Sequence, residues 1–181
     1  MNCSVRSPPP WRNAACWYLF GAQADIVWGS PRLSADVDVT AELDPASLDA
    51  FIQVMAKHGF DVVFGDPEFV ASTRVLPFVH RASGMPLDVV LSGPGLEDGF
   101  LHRAIPANVG GTLVPVISPE DLIVTKTLAG RPKDIEDIRG VINERRTSLD
   151  VERIRATLRL LEQALAQSDL LPLFEREWRD M

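Results

Sequence analysis

The sequence predicts an α+β fold with a C-terminal helical segment, on three observations. Short apolar, strand-like runs dominate the first two-thirds of the 181 residues. Amphipathic helical stretches fill the last third. Between them in character stands an alternating stretch, Arg32-Leu33-Ser34-Ala35-Asp36-Val37-Asp38-Val39-Thr40. Its period of two places Ala35, Val37 and Val39 on one face and Asp36, Asp38 and Thr40 on the other. The two carboxylates therefore point the same way.

Taken in order, the chain opens on residues 1–13, which contain Ser7-Pro8-Pro9-Pro10, lack periodicity and read as a loose extension. Cys16 to Phe20 is an apolar run and a first strand, ended by Gly21. Ala22 to Trp28 reads as a brief helix with Ala24, Val27 and Trp28 inward. The alternating strand follows at 35–41. Asp44-Pro45 starts a helix whose stripe is Leu48, Phe51, Ile52 and Met55, stopped by Gly59. Residues 60–64 read as a strand. Val75–His80 and Leu87–Leu91, joined through Ala82-Ser83-Gly84-Met85, read as a hairpin. A short helix is expected around Leu96–His102, then a last strand over 112–117, placed at a sheet edge by Pro115. Ser118-Pro119-Glu120-Asp121 combines a cap, a first-turn proline and acids at the positive helix end. That helix reaches about Leu128. A second begins near Pro132 with Ile135, Ile138, Val141 and Ile142 on one face, and two more cover about 150–167 and 169–179.

Composition narrows the function. Net charge is −7, which argues against a broad basic surface for nucleic acid, so any phosphate chemistry must use a few local cations. No apolar run reaches membrane-spanning length, and no membrane partner is expected. Arg6, Arg12 and the run from Ala14 to Ala22 mimic a signal peptide, but cleavage there would remove an apparent core strand. Two cysteines make no disulfide framework and fit a reducing, cytoplasmic setting.

The chemistry is carried by carboxylates and cations. Asp88 lies inside the apolar run Pro86–Leu91, and an acid there is costly to bury unless paired or bound to a metal. If its strand neighbours the alternating one, three negative charges converge with Asp36 and Asp38. Each like pair at about 4 Å costs roughly 4 kcal/mol at an effective dielectric near 20. Mg²⁺, which suits all-oxygen sites and bridges carboxylates to phosphates, offsets that. An acidic solvent face would give the same alternation. Gly21, between strand and helix, lets backbone amides approach a phosphate. Further on, Lys126, Arg131 and Lys133 flank Asp134 and Asp137. Lys126 is expected with Asp121 and Thr125 on the face opposite Leu122, Ile123 and Leu128. Three cations beside carboxylates suit a triphosphate; a solvated helix pair with Lys133 meeting Asp137 at i,i+4 reads the same.

These segments, in this order, resemble the AbiEii-type toxin nucleotidyltransferases, within the wider DNA-polymerase-β-like nucleotidyltransferase superfamily. The matching residues are Phe20-Gly21-Ala22-Gln23-Ala24, Gly29-Ser30-Pro31-Arg32-Leu33-Ser34-Ala35-Asp36-Val37-Asp38, then Asp88. Ser118 to Ile123, Lys126, Ala129-Gly130-Arg131, Lys133-Asp134 and Asp137 match the family's lysine and Lys-Asp helices. The resemblance implies a mixed sheet flanked by helices, with a nucleotidyltransferase core over 14–117 and a helical part over 118–181 packed on it. It implies two Mg²⁺ ions on Asp36, Asp38 and Asp88, and transfer of a nucleoside monophosphate from a nucleoside triphosphate to RNA, tRNA included, or to protein. Asp88 assists as base. Lys126, Arg131 and Lys133 neutralise phosphate, Arg32 and Ser34 touch it, and Asp134 orients a lysine or acts on the acceptor. A cognate antitoxin is the implied partner. The family has Gly-Gly or Gly-Ser where this chain has Gly21-Ala22, so phosphate contact there falls to backbone amides. Two other readings keep the same residues: a nucleotide- or partner-binding module without catalysis, and a metal-dependent nuclease.

Overall fold

The computed structural model describes residues 17–29, 34–93 and 95–181. Its centre is a seven-stranded mixed sheet in the order β3-β4-β5-β2-β1-β7-β6. β1 (Trp17–Phe20) runs antiparallel to β2 (Val37–Ala41) and parallel to β7 (Thr112–Val116). β2 lies parallel to β5 (Pro86–Leu91), which forms the expected hairpin with β4 (Val75–His80). β3 (Phe60–Val62) and β6 (Ile105–Val109) close the two edges.

The helices follow the start signals. α1 (Gly21–Trp28) leaves β1 directly. Asp44 accepts from the Ala46 amide at 2.9 Å and opens a 3₁₀ turn, which feeds α2 (Leu48–Lys57). Phe51 and Met55 of its stripe are buried. α4 is Leu96–Arg103. Ser118 caps α5 (Pro119–Ala129) by accepting from the Asp121 amide. α6 (Pro132–Arg145), α7 (Val151–Leu165) and α8 (Leu170–Asp180) complete the chain.

Two apolar clusters hold these layers. The larger joins Tyr18, Trp28 and Phe100 to Leu122 and Ile123 of α5, Ile138 and Ile142 of α6, Leu158 and Phe174. The smaller packs Phe51, Met55 and Val70 against Leu76, Phe78 and Val89. Burying one large aliphatic or aromatic side chain is worth about 1.5–3 kcal/mol, so the larger cluster fixes how α1, α5 and α6 sit on the sheet.

Three expectations need correction. β7 is not an edge strand: β6, which the sequence reading did not anticipate, pairs beside it. Pro115 is accommodated because it faces Pro106 on β6, while the β1 pairing begins one residue later at Val116. An additional helix, α3 (Pro67–Thr73), carries the same Asp-Pro start as residues 44–45: Asp66 accepts from the amides of Glu68 and Phe69. Leu128 does not share the buried face of Leu122 and Ile123; it is exposed, and Asp121 turns inward to Arg103. The expected strand residue Cys16 lies outside the described residues.

Candidate functional site

β2 and β5 run parallel with Asp38 opposite Asp88, so the two side chains stand next to each other on one face. On the other side of β2, Asp38 is paired with Phe20, the last residue of β1. The chain then turns at Gly21 (φ +62°) into α1. A Cβ at Gly21 would come within 2.9 Å of Asp38 Cγ and collide with the carboxylate itself. Only glycine closes this turn against the acid. Asp36, just before β2, is exposed and tied down: the Ser34 hydroxyl donates to its carboxylate at 2.6 Å and to its carbonyl at 3.2 Å.

The three acids act on each other. Burial pushes the Asp38 carboxyl up to about 6, and the charges of Asp36 and Asp88 add to the rise, while Lys126 and Lys133 oppose it. Burial, followed by the charge of Asp36, also raises Asp88.

α5 and α6 form the facing wall. Lys126 is 6% exposed, and its ammonium donates to Asp25 at 2.8 Å and to Asp137 at 2.5 Å, with Asp134 at 3.6 Å. Burial works to lower the Lys126 pKa, but the bonds to Asp137 and Asp25 outweigh it and hold it above its ordinary value. Burial lifts Asp25 to about 6 against the pull of Lys126. Asp134 has no exposure. Its carboxylate accepts from the Arg131 guanidinium at 2.5 and 3.1 Å and from the Arg131 amide at 3.2 Å, which closes a capping box on α6. Burial would raise Asp134, yet Arg131 brings it net below the usual range.

Between the walls lies a pocket of about 360 Å³, bordered by Gly21, Ser34, Asp36 and Asp38 on one side and Lys126, Arg131 and Lys133 on the other. Ala22, Thr125 and Asp134 also contribute to its lining. A larger cavity, about 490 Å³, opens on the opposite face of the sheet over Val37, Val39, Leu87 and Val89. It is lined almost wholly by apolar side chains and holds no group able to do acid, base or phosphate chemistry beyond His80.

The structure thus brings Asp36, Asp38, Asp88, Gly21, Ser34, Lys126, Arg131 and Lys133 to one region. Asp134 lines the pocket, bonds the Arg131 guanidinium and stands 3.6 Å from the Lys126 ammonium. Arg32 lies outside the described residues. Sequence reasoning missed Asp25, 1% exposed on α1. The available signal was an acid in the middle of the apolar helix Ala22–Trp28. Asp137, matched in the Lys-Asp helix and placed by the alternative reading beside Lys133, accepts from Lys126.

Among the described residues no group of three or more His, Cys, Asp or Glu side chains is already gathered as a metal cage. Mg²⁺ does not require one, since it takes one or two carboxylates and completes its shell with water and substrate phosphates. Asp38 and Asp88, side by side and both titrating high through burial and neighbouring charge, fit that requirement in donor type.

A family model described as nucleotidyltransferase of unknown function, DUF6036, matches residues 19–169. No curated protein sequence matches the chain. The solution structure of the antibiotic-resistance factor ANT(2'')-Ia superposes with a TM-score of 0.54 at 17% identity, over 86% of this chain and 87% of that one. A crystal structure of ANT(2'')-Ia in complex with adenylyl-2''-tobramycin gives a TM-score of 0.53 at 17% identity, over 92% and 90%. At that identity the likeness is one of fold.

Proposed function

Because the chain belongs to the DUF6036 nucleotidyltransferase family, we propose that it moves a nucleoside monophosphate from a nucleoside triphosphate to an acceptor hydroxyl, with release of pyrophosphate. The observation that carries this reading is Asp38, lining the cation-bordered pocket at the Gly21 turn with Asp88 in register beside it on β5. Asp38, Asp88 and the exposed Asp36 would hold Mg²⁺. When bound, the metal neutralises their repulsion and stabilises the charge developing on the phosphate oxygens.

The chain's own residues supply the rest. The Gly21 turn and the start of α1 offer backbone amides to phosphate, as expected where Ala22 replaces a hydroxyl side chain. Arg131 and Lys133 meet the triphosphate charge at the pocket's rim. The acceptor oxygen attacks the α-phosphorus, the bond to the pyrophosphate oxygen breaks, and Asp88 takes the hydroxyl proton. Ser34 keeps Asp36 oriented.

RNA, tRNA included, or protein is the acceptor proposed from the AbiEii resemblance, together with a toxin role, a cognate antitoxin and a cytoplasmic setting. The ANT(2'')-Ia likeness adds a small hydroxylated antibiotic to the acceptors worth offering. The test supplies each α-labelled triphosphate with Mg²⁺ and total RNA, protein or tobramycin. Label transferred in Mg²⁺ and absent in EDTA is the expected result. No transfer to any acceptor would remove the enzyme reading and leave a binding module of the same fold. Nucleotides released from RNA with no triphosphate present would select a nuclease.

A further inference from the structure

Lys126 reaches the pocket, yet its charge is already engaged. It is 6% exposed and held by Asp25 of α1 and Asp137 of α6, with Asp134 at 3.6 Å. Three buried carboxylates thus surround one buried ammonium, with the exposed Arg131 guanidinium bound to one of them, so this cluster carries no surplus positive charge for an incoming anion. The ties run between α1, α5 and α6. α1 starts at Gly21, on one wall of the pocket; α6 starts beside Arg131 and Lys133, on the other. Lys126 therefore sets how far apart the two walls stand.

We infer that Lys126 is a positioning residue locked by Asp25 and Asp137, and that Lys133, exposed at the start of α6, makes the contact with the triphosphate. This rests on the proposed function and changes which cation does which job within it. A buried ammonium pulled from two carboxylates would leave both uncompensated, whereas Lys133 loses little by turning to a phosphate.

The two roles of Lys126 predict opposite signs for one substitution. Asp25→Asn removes a carboxylate that competes for the ammonium. If Lys126 binds phosphate directly, the change strengthens triphosphate binding. If Lys126 positions the walls, the change weakens it. The measurement is calorimetric binding of the four α,β-methylene nucleoside triphosphates with Mg²⁺ to the full chain, with far-UV circular dichroism confirming the fold. We expect Asp25→Asn to weaken binding about tenfold, and Asp25→Glu, which restores the charge, to recover part of it. Lys133→Gln is expected to weaken binding by a similar factor with an unchanged melting temperature. Tighter or unchanged binding in folded Asp25→Asn overturns the inference, as does unchanged binding in Lys133→Gln. Should Asp25→Asn fail to fold, Asp137→Asn gives the same sign from the other partner. Wild-type protein that binds none of the four analogues removes the nucleotidyltransferase reading itself, an outcome distinct from a wrong sign in a variant.

Discussion

Two groups of carboxylates lie at or near one pocket and differ in burial and in the charges they meet. Asp25, Asp134 and Asp137 are enclosed, and each bonds a cation of this chain: Lys126 for the first and last, Arg131 for Asp134. Asp36, Asp38 and Asp88 stand on or beside the sheet, more open, with one another as near charges. A buried charge must find its partner within the fold, because an isolated one is prohibitively costly. A half-open cluster of like charge can await a partner from solution. The first group is organised for structure and the second for a ligand.

The sharpest way to break this contrast is Lys126→Met, which leaves Asp25 and Asp137 buried without their ammonium. It should cost about 3–5 kcal/mol in urea unfolding, the usual loss when one partner of a buried pair is removed. Asp38→Asn should do the reverse: label transfer falls by about 10²- to 10³-fold while unfolding stability holds or rises, because a like charge has gone. Gly21→Ala acts at the turn that closes against Asp38. Its left-handed φ and the collision with Asp38 should cost about 1–2 kcal/mol and depress transfer, read by melting and by label together.

A pH profile sharpens the same comparison. Asp38 and Asp25 titrate near 6 in the folded protein and near 3.8 when unfolded, so between these values the folded state holds more protons. Stability of the metal-free protein must then fall as pH rises from about 3.8 to about 6. Asp134, lowered, contributes its full stabilisation throughout that window and loses it only at lower pH. Melting in EDTA should show the decline, and Asp38→Asn should make it shallower, leaving the share of Asp25. The smallest effect is expected from Ser34→Ala, which removes an exposed hydrogen bond to Asp36. About 0.5–1 kcal/mol, or a few-fold in transfer, is its expected size.

Much of the frame could be read from residue order. The alternation through Val37-Asp38-Val39 did give a strand with its acids on one face, and Ser118-Pro119 did start a helix. Asp66-Pro67 carries the same start signal as Asp44-Pro45, so α3 too is encoded locally. β6 is different. Ile105-Pro106-Ala107-Asn108-Val109 is short, half polar and contains a proline, and only its pairing with β7 makes it a strand. The edge position given to Pro115 failed for a related reason: a proline opposite another proline asks for no ladder bond.

Local order alone determined the acidic strand, the glycine turn before it, the helix starts and a charge balance that leaves phosphate to a few cations. Those properties depend on neighbours within a few positions, where steric and hydrogen-bond rules act directly. Tertiary structure alone decided that Asp88 lies beside Asp38, and that Lys126 belongs to Asp25, 101 positions away, and to Asp137. Charges in a low-dielectric interior pair by distance through space, and spacing along the chain does not encode that distance.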